Sequence, residues 1–255
     1  QDGVTRGDAV RRREFQTYAT TAYFVDPAGS NTNACLASGA ANACLTVQGV
    51  IDKLPKIIRN TVTLTVAAGS YAGFIMGDRL WSPGGAVVTP SGSVAITGSK
   101  SAVTPTTGSA TGTLTTVSAT TTSGTALLID SGQAWTVDDA ALDGAFIRMT
   151  SGTANGQVRT IVTNGGTTLS VFPSYSTNPR LGHTSILEKP AVIFTTGTTI
   201  RAIPGGFNMT MTDLEFQSAT SSSAILSQGS DVTIRFGGVR AYNTSTGTAV
   251  SVPGF

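Results

Sequence analysis

Charge is scarce in this chain. Of its 255 residues only 12% are Asp, Glu, Lys or Arg, and the net charge is +2. A balance so close to neutral does not by itself point to a nucleic-acid partner. Histidine occurs once, at His183, which excludes a histidine pair as metal ligands or proton relay. A Ser/His/Asp triad would need that residue, and no Gly-x-Ser-x-Gly elbow accompanies it. No apolar run approaches the roughly 18 to 20 residues of a membrane span. Gln1 to Glu14 is polar throughout, without the apolar stretch of a signal peptide. No glycine-rich phosphate loop occurs either; Gly84-Gly85 and Gly205-Gly206 read as turn glycines. No cofactor is expected from any of these patterns.

Cysteine is nearly absent as well. Cys35 and Cys44 stand nine positions apart in an Asn/Ala/Gly-rich loop. That spacing suits a local disulfide or two free thiols and leaves both open. With no histidine or third cysteine nearby, the two do not make a zinc site.

What the chain does have is 30 glycines and long tracts of Thr, Ser and Ala. This suits a rigid β structure with Thr and Val on its strands and Gly and Asn in its turns. Residues 1–20 stand apart as a basic arm, with Arg6, Arg11, Arg12 and Arg13 and a helical spacing of Val10, Phe15 and Tyr18 behind Asp8. The arm holds too little apolar surface to fold alone and reads as a docking or self-association element. From Tyr23-Phe24-Val25, a short strand, the chain passes the cysteine loop to Val47, Val50, Ile51 and Leu54. These form one apolar helix face behind Thr46 as N-cap, stopped by Pro55. Thr61 to Val66 alternates strictly, a half-buried strand, and Val94-Ala95-Ile96 repeats the theme.

The texture changes over 101–188. Leu114–Val117, Ala126–Ile129, Ala145–Met149, Val158–Val162 and Thr168–Val171 are short runs separated by turns such as Ser151-Gly152 and Asn164-Gly165-Gly166. They predict five antiparallel strands in a small sandwich or barrel, inserted into a host fold. From 189 to 255 a pattern of about two dozen residues repeats. Ile203–Met211 sets above Leu226–Ile234, with Met209 and Met211 on Val232 and Ile234, and Val252-Pro253-Gly254 echoes Ile203-Pro204-Gly205. A short β repeat with turn residues at matching places implies stacked coils. The fold class expected is therefore all-β: a right-handed parallel β-helix (solenoid) with an N-terminal capping helix over 21–100, the inserted module, and further coils. The repeat breaks off at Phe255 where another coil is due, so the sequence leads one to expect more chain beyond it.

Three segments resemble virus proteins. Tyr23–Ser30, Thr46–Leu54 and Val62–Tyr71 together resemble the start of pectate-lyase-like β-helix domains, a family of bacteriophage tailspikes and secreted polysaccharide enzymes. Asp130–Trp135, Gly144–Gly152 and Gly156–Asn164 are similar to a small β module of phage tail and fibre proteins. Gly7–Phe15 is similar to a short element of phage fibres. The resemblance implies a homotrimeric virion structural protein, a tail fibre or tailspike. Its implied partners are other virion proteins and host-surface polysaccharide; the residues themselves point to no membrane, and for Arg11 to Arg13 a docking element is the favoured reading over a nucleic-acid contact.

Polysaccharide hydrolysis normally needs two carboxylates about 5 to 10 Å apart. Asp213 and Glu215, two apart on one predicted strand, would both point outward roughly 6 to 7 Å apart and form the candidate pair. Against this, a two-residue slip at Gly237-Gly238 places Glu215 beneath Arg240. That arrangement is an exposed ion pair worth about 0.2 to 1 kcal/mol. Asp138, Asp139 and Asp143 read as a turn before a strand, and they lack the spacing of a calcium loop. The sequence thus favours a mechanical virion protein over a polysaccharide hydrolase or lyase, with a head fibre or capsid decoration protein as a further alternative.

Overall fold

Thr alternating with Val, Ile and Leu makes strand after strand in this chain. The computed structural model describes residues 21–54, 57–76, 87–88, 92–117, 125–201, 207–218, 224–228, 232–243 and 250–251. Among these the structure is all-β apart from one short helix, with both parallel and antiparallel sheets. The chain divides into two compact units, Gln1–Ser99 with Pro190–Phe255, and Lys100–Lys189. The basic arm lies outside the described residues.

The first unit opens with β1 (Thr21–Val25), α1 (Val47–Ile51), β2 (Ile57–Ile58), β3 (Thr61–Val66), β4 (Gly69–Tyr71), β5 (Ile75–Met76), β6 (Val87–Val88) and β7 (Ser93–Gly98). The next strands are β8 (Lys100–Ala102), β9 (Thr111–Thr113), β10 (Thr116–Val117), β11 (Ala126–Ile129), β12 (Phe146–Met149), β13 (Val158–Asn164), β14 (Thr168–Phe172) and β15 (Thr184–Pro190). The chain returns to the first unit for β16 (Val192–Phe194), β17 (Thr198–Arg201), β18 (Phe207–Thr212), β19 (Glu215–Ser218), β20 (Ile225–Gln228), β21 (Val232–Gly237), β22 (Arg240–Asn243) and β23 (Val250–Ser251).

Four sheets of the first unit are wholly parallel, the pair β2-β6 and three larger ones. The orders of the larger three are β1-β3-β7-β18-β21, β4-β16-β19-β22 and β5-β17-β20-β23. From β16 onward the chain enters the second, third and first sheets in turn and then repeats the circuit. Met209 pairs with Ile234, Glu215 with Arg240 and Ile225 with Val250, each a step of 25 residues. This corrects the step of 23 expected from sequence, because Met209 and Met211 lie against Ile234 and Phe236 rather than Val232 and Ile234. Val94 pairs with Met209, a step of 115, which again becomes 25 once the 90 residues of Lys100–Lys189 are set aside.

Alternation decides which side chains face in. Val62, Leu64 and Val66 of β3, Val94 and Ile96 of β7, and Met209 and Met211 of β18 are buried in one apolar cluster. The threonines between them face out. In the second sheet Tyr71, Phe194 and Phe216 occupy one register row, and the rings of Phe194 and Phe216 stack at 4.9 Å. α1 forms because Thr46 accepts a hydrogen bond from the Gly49 N–H at 3.0 Å while Val47, Val50, Ile51 and Leu54 enter the same cluster.

The second unit differs from expectation in strand count. It is one hydrogen-bonded sheet of eight strands, ordered β10-β11-β14-β13-β12-β15-β8 with β9 also on β15, where five strands were expected. The five expected strands are present; β8, β9 and β15 join them. β15 pairs antiparallel with both β12 and β9, so its place is set by long-range partners that no local apolar run announces. The Asn164-Gly165-Gly166 turn joins β13 to β14 as a hairpin. Asn164 itself is buried and accepts from the Asp139 N–H while donating to the Thr136 carbonyl.

Candidate functional site

The acidic pair singled out in the sequence lies where β18 hands over to β19. The pairing of Glu215 with Arg240 is present in the register, and Arg240 Nη1 donates to Glu215 Oε2 at 3.1 Å. Two expectations need correction. Glu215 is buried, with 5% of its surface exposed, so the ion pair is not an exposed one. Gln217, two residues on and hence on the same face of β19, covers it and donates to Glu215 Oε1 at 2.6 Å. Asp213 is not on a strand with Glu215. It occupies the corner between β18 and β19 in the left-handed conformation, φ +57°.

The corner explains the aspartate. One circuit of 25 residues later the equivalent residue is Gly238, also left-handed at φ +63°. Aspartate is one of the few residues other than glycine that enters this region readily. Asp213 therefore serves the turn, and Glu215 holds Arg240 on the neighbouring strand β22 and Gln217 along its own strand. Each Glu215 oxygen accepts from a neighbouring side chain, an arrangement suited to holding strands together.

The other acidic cluster resolves the same way. Asp139 is buried and accepts from the Thr106 N–H at 2.7 Å, the Thr106 hydroxyl at 2.9 Å and the Ala141 N–H at 2.9 Å. These donors, the Ala141 N–H foremost, hold its carboxyl below the ordinary aspartate value. Asp138 takes a left-handed turn conformation. Among the described residues no group of three or more His, Cys, Asp or Glu side chains is placed to hold a metal ion. His183 accepts a hydrogen bond at Nδ1 from the Arg180 N–H at 3.1 Å, closing a turn. Cys35 and Cys44 are joined in a disulfide with Cα atoms 5.0 Å apart. Arg6, Arg11, Arg12, Arg13, Phe15 and Tyr18 lie outside the described residues. No helix among those described is long and apolar enough to cross a membrane.

One surface was not anticipated. On the outward face of β7, β18 and β21, Ser93, Asn208, Thr210, Thr233 and Arg235 line a recess of about 310 Å³. Asn208, Thr233 and Arg235 are exposed. The signal was in the sequence: these residues alternate with Val94, Met209, Met211 and Ile234, so the buried set fixes the outward one. Hydroxyls, an amide and one guanidinium can hydrogen-bond the hydroxyl or carboxylate groups of a polar ligand.

No family model matches the chain, and no curated protein matches it. Among solved structures it is similar to the tailspike gp61 of Pseudomonas phage phi297, with 10% identity and a TM-score of 0.28, over 84% of this chain and 38% of that one. It is also similar to the gp54 tailspike of Acinetobacter baumannii bacteriophage AP22, a structure in complex with an A. baumannii capsular saccharide. There the identity is 12% and the TM-score 0.19, over 72% of this chain and 42% of that one. A third similar structure is a glycoside hydrolase, 7% identical with a TM-score of 0.24, over 78% of this chain and 50% of that one. The chain thus spans half or less of the length of each.

Proposed function

We propose that this chain is a bacteriophage virion structural protein, a tail fibre or tailspike, in which the first unit is a right-handed parallel β-helix and Lys100–Lys189 an inserted module. The observation that carries the reading is the register. Three parallel sheets gain one strand each per circuit, and the rise per circuit is one strand spacing, about 4.8 Å. A column built this way resists bending because every strand between the sheet edges is hydrogen-bonded to the circuits before and after it. The segment that resembles the opening of phage β-helices supports the same reading, since it forms strand, helix and strand in that order as β1, α1 and β3.

On this reading the shaft is mechanical. Residues 1–20 dock to other virion proteins and to sister chains through Arg6, Arg11, Arg12, Arg13, Phe15 and Tyr18. Residues 21–100 and 189–255 form the shaft, 101–188 form the module inserted into its sequence, and the protein resides on the virion. The recess lined by Asn208, Thr233 and Arg235 is the surface offered to host-surface polysaccharide. The engaged state of Glu215 and the turn role of Asp213 favour binding over cleavage.

The test is the native mass by light scattering after size exclusion. A homotrimer has a mass near 78 kDa, three times the 25.9 kDa of one chain. A clean monomer at 25.9 kDa overturns the fibre reading and moves the weight to a secreted carbohydrate-active domain.

A further inference from the structure

The outer edge of β1 is closed by the main chain of the two cysteines. One edge of β1 pairs with β3. On the other edge the Phe24 N–H donates to the Cys35 carbonyl at 2.8 Å, the Cys44 N–H donates to the Phe24 carbonyl at 2.9 Å, and the Asp26 N–H donates to the Cys44 carbonyl at 2.8 Å. Phe24 is thus held between the two residues whose side chains are bonded to each other. Both cysteines are fully buried in the apolar cluster of the first unit, whereas every residue from Leu36 to Asn42 between them is exposed. The exposed segment closes on itself through the Asn42 and Ala43 N–H groups, which donate to the Gly39 carbonyl at 3.0 and 2.9 Å, and it is tied to its surroundings by Asn33 Nδ2, which donates to the Ala40 carbonyl at 3.3 Å, and by the Cys35 N–H, which donates to the Asn42 carbonyl at 3.1 Å.

We propose that the Cys35–Cys44 bond is a redox latch on this strand edge. Closed, it fixes the plug that covers Phe24 and Asp26. Reduced, it lets the 36–42 loop and its two anchors lift away and uncovers a parallel strand edge, a template for pairing with another chain. This follows from the hydrogen bonds of β1 and does not depend on the function proposed above. Latching proceeds by exchange with a small-molecule disulfide. One cysteine thiolate attacks that disulfide, forms a mixed disulfide and releases one small thiolate. The second cysteine thiolate then attacks the mixed disulfide at the protein sulfur, closing the Cys35–Cys44 bond and releasing the second small thiol. Two protein thiols are oxidised and one small disulfide is reduced to two thiols. Because both sulfurs are buried, exchange in either direction occurs only when the loop opens.

The test is hydrogen–deuterium exchange on the full folded chain with and without a phosphine reductant, following peptides over residues 21–27 and 61–66. Reduction is expected to speed exchange over 21–27 on the order of a hundredfold, the loop-closure contribution of a ring this small, with 61–66 unchanged. It should also open 36–42 to a nonspecific protease and produce concentration-dependent association. A Cys35→Ser, Cys44→Ser double variant, which cannot latch, should behave as the reduced protein even if the native bond resists the reductant. Equal exchange over 21–27 in all states overturns the proposal, because the plug then holds without the bond. Uniform acceleration across 61–66, or failure of the double variant to fold, also overturns it and makes the bond a staple of the whole unit.

Discussion

The aromatic column of the second sheet gives the sharpest test of how the first unit is held together. Phe194 is fully buried, stacked on Phe216 at 4.9 Å with planes 16° apart. It meets the edge of Phe74 at 5.3 Å and lies 6.1 Å from Tyr71. Phe194→Ala removes a ring whose burial is worth about 1.5 to 3 kcal/mol. It also removes aromatic contacts worth about 0.5 to 1.5 kcal/mol each. Rows in adjacent circuits cannot collapse onto the gap without breaking strand hydrogen bonds, so the loss should reach about 4 kcal/mol, within the range for buried phenylalanine truncations. Phe194→Leu keeps most of the volume and should lose about 1.5 kcal/mol or less. The assay is urea unfolding at fixed protein concentration by two probes, since two units need not unfold in one step. The chain has two tryptophans. With Trp81 changed to Phe, Trp135, which is buried in the core of the second unit, reports that unit alone, while circular dichroism follows the whole. The dichroism transition should split or shift early with the Trp135 transition unmoved. A loss under about 1 kcal/mol for Phe194→Ala would refute the view that this column is close-packed.

Arg240→Met should cost about 2 kcal/mol, because it leaves the buried Glu215 carboxylate without its cation. Glu215→Gln should cost less, since Arg240, whose side chain is 25% exposed, can turn to water; equal and negligible losses in urea melts would mean that solvent screens the pair. Asp139 titrates below the ordinary value in the folded chain. Its stabilising contribution is therefore full above the unfolded aspartate pKa and lost as pH falls through the lowered one. The Trp135 midpoint should drop over that acidic window, and Asp139→Asn should lower the midpoint at neutral pH while flattening the acid drop. Asp213→Gly should leave stability within about 0.5 kcal/mol, whereas Asp213→Val should cost on the order of 1 to 2 kcal/mol for a branched residue in the left-handed region. A tolerated valine by thermal melt would remove the corner role. Replacing Lys100–Lys189 by Gly-Gly should leave the parallel sheets intact, since the Ala191 N–H donates to the Ser99 carbonyl at 2.9 Å and the 25-residue step ignores the second unit. Loss of cooperative unfolding in that variant would show the two units to be interdependent.

What the residues disclosed in advance, and what they withheld, divides along physical lines. α1 was legible because its signals are local: Thr46 caps it and its apolar positions recur at helical spacing over one stretch of chain. β3 was legible because strict alternation admits one buried face. The step of the repeat was not, for a reason built into strands. Side chains alternate with period two, so a shift of two residues returns the same set to the core. Steps of 23 and 25 both place apolar residues of β21 against Met209 and Met211, and pattern alone cannot choose between them. The corner chooses. Asp213 and Gly238 are the residues that enter the left-handed region, and aligning these two corners forces Met209 onto Ile234. The same limit explains Glu215: its partner was legible from register, but its burial depends on Gln217 and Arg240 closing over it from two strands. In a stack of this kind turn residues set register and apolar residues set facing. A sequence alignment of such circuits should therefore be anchored on residues able to adopt positive φ before any hydrophobic match is scored.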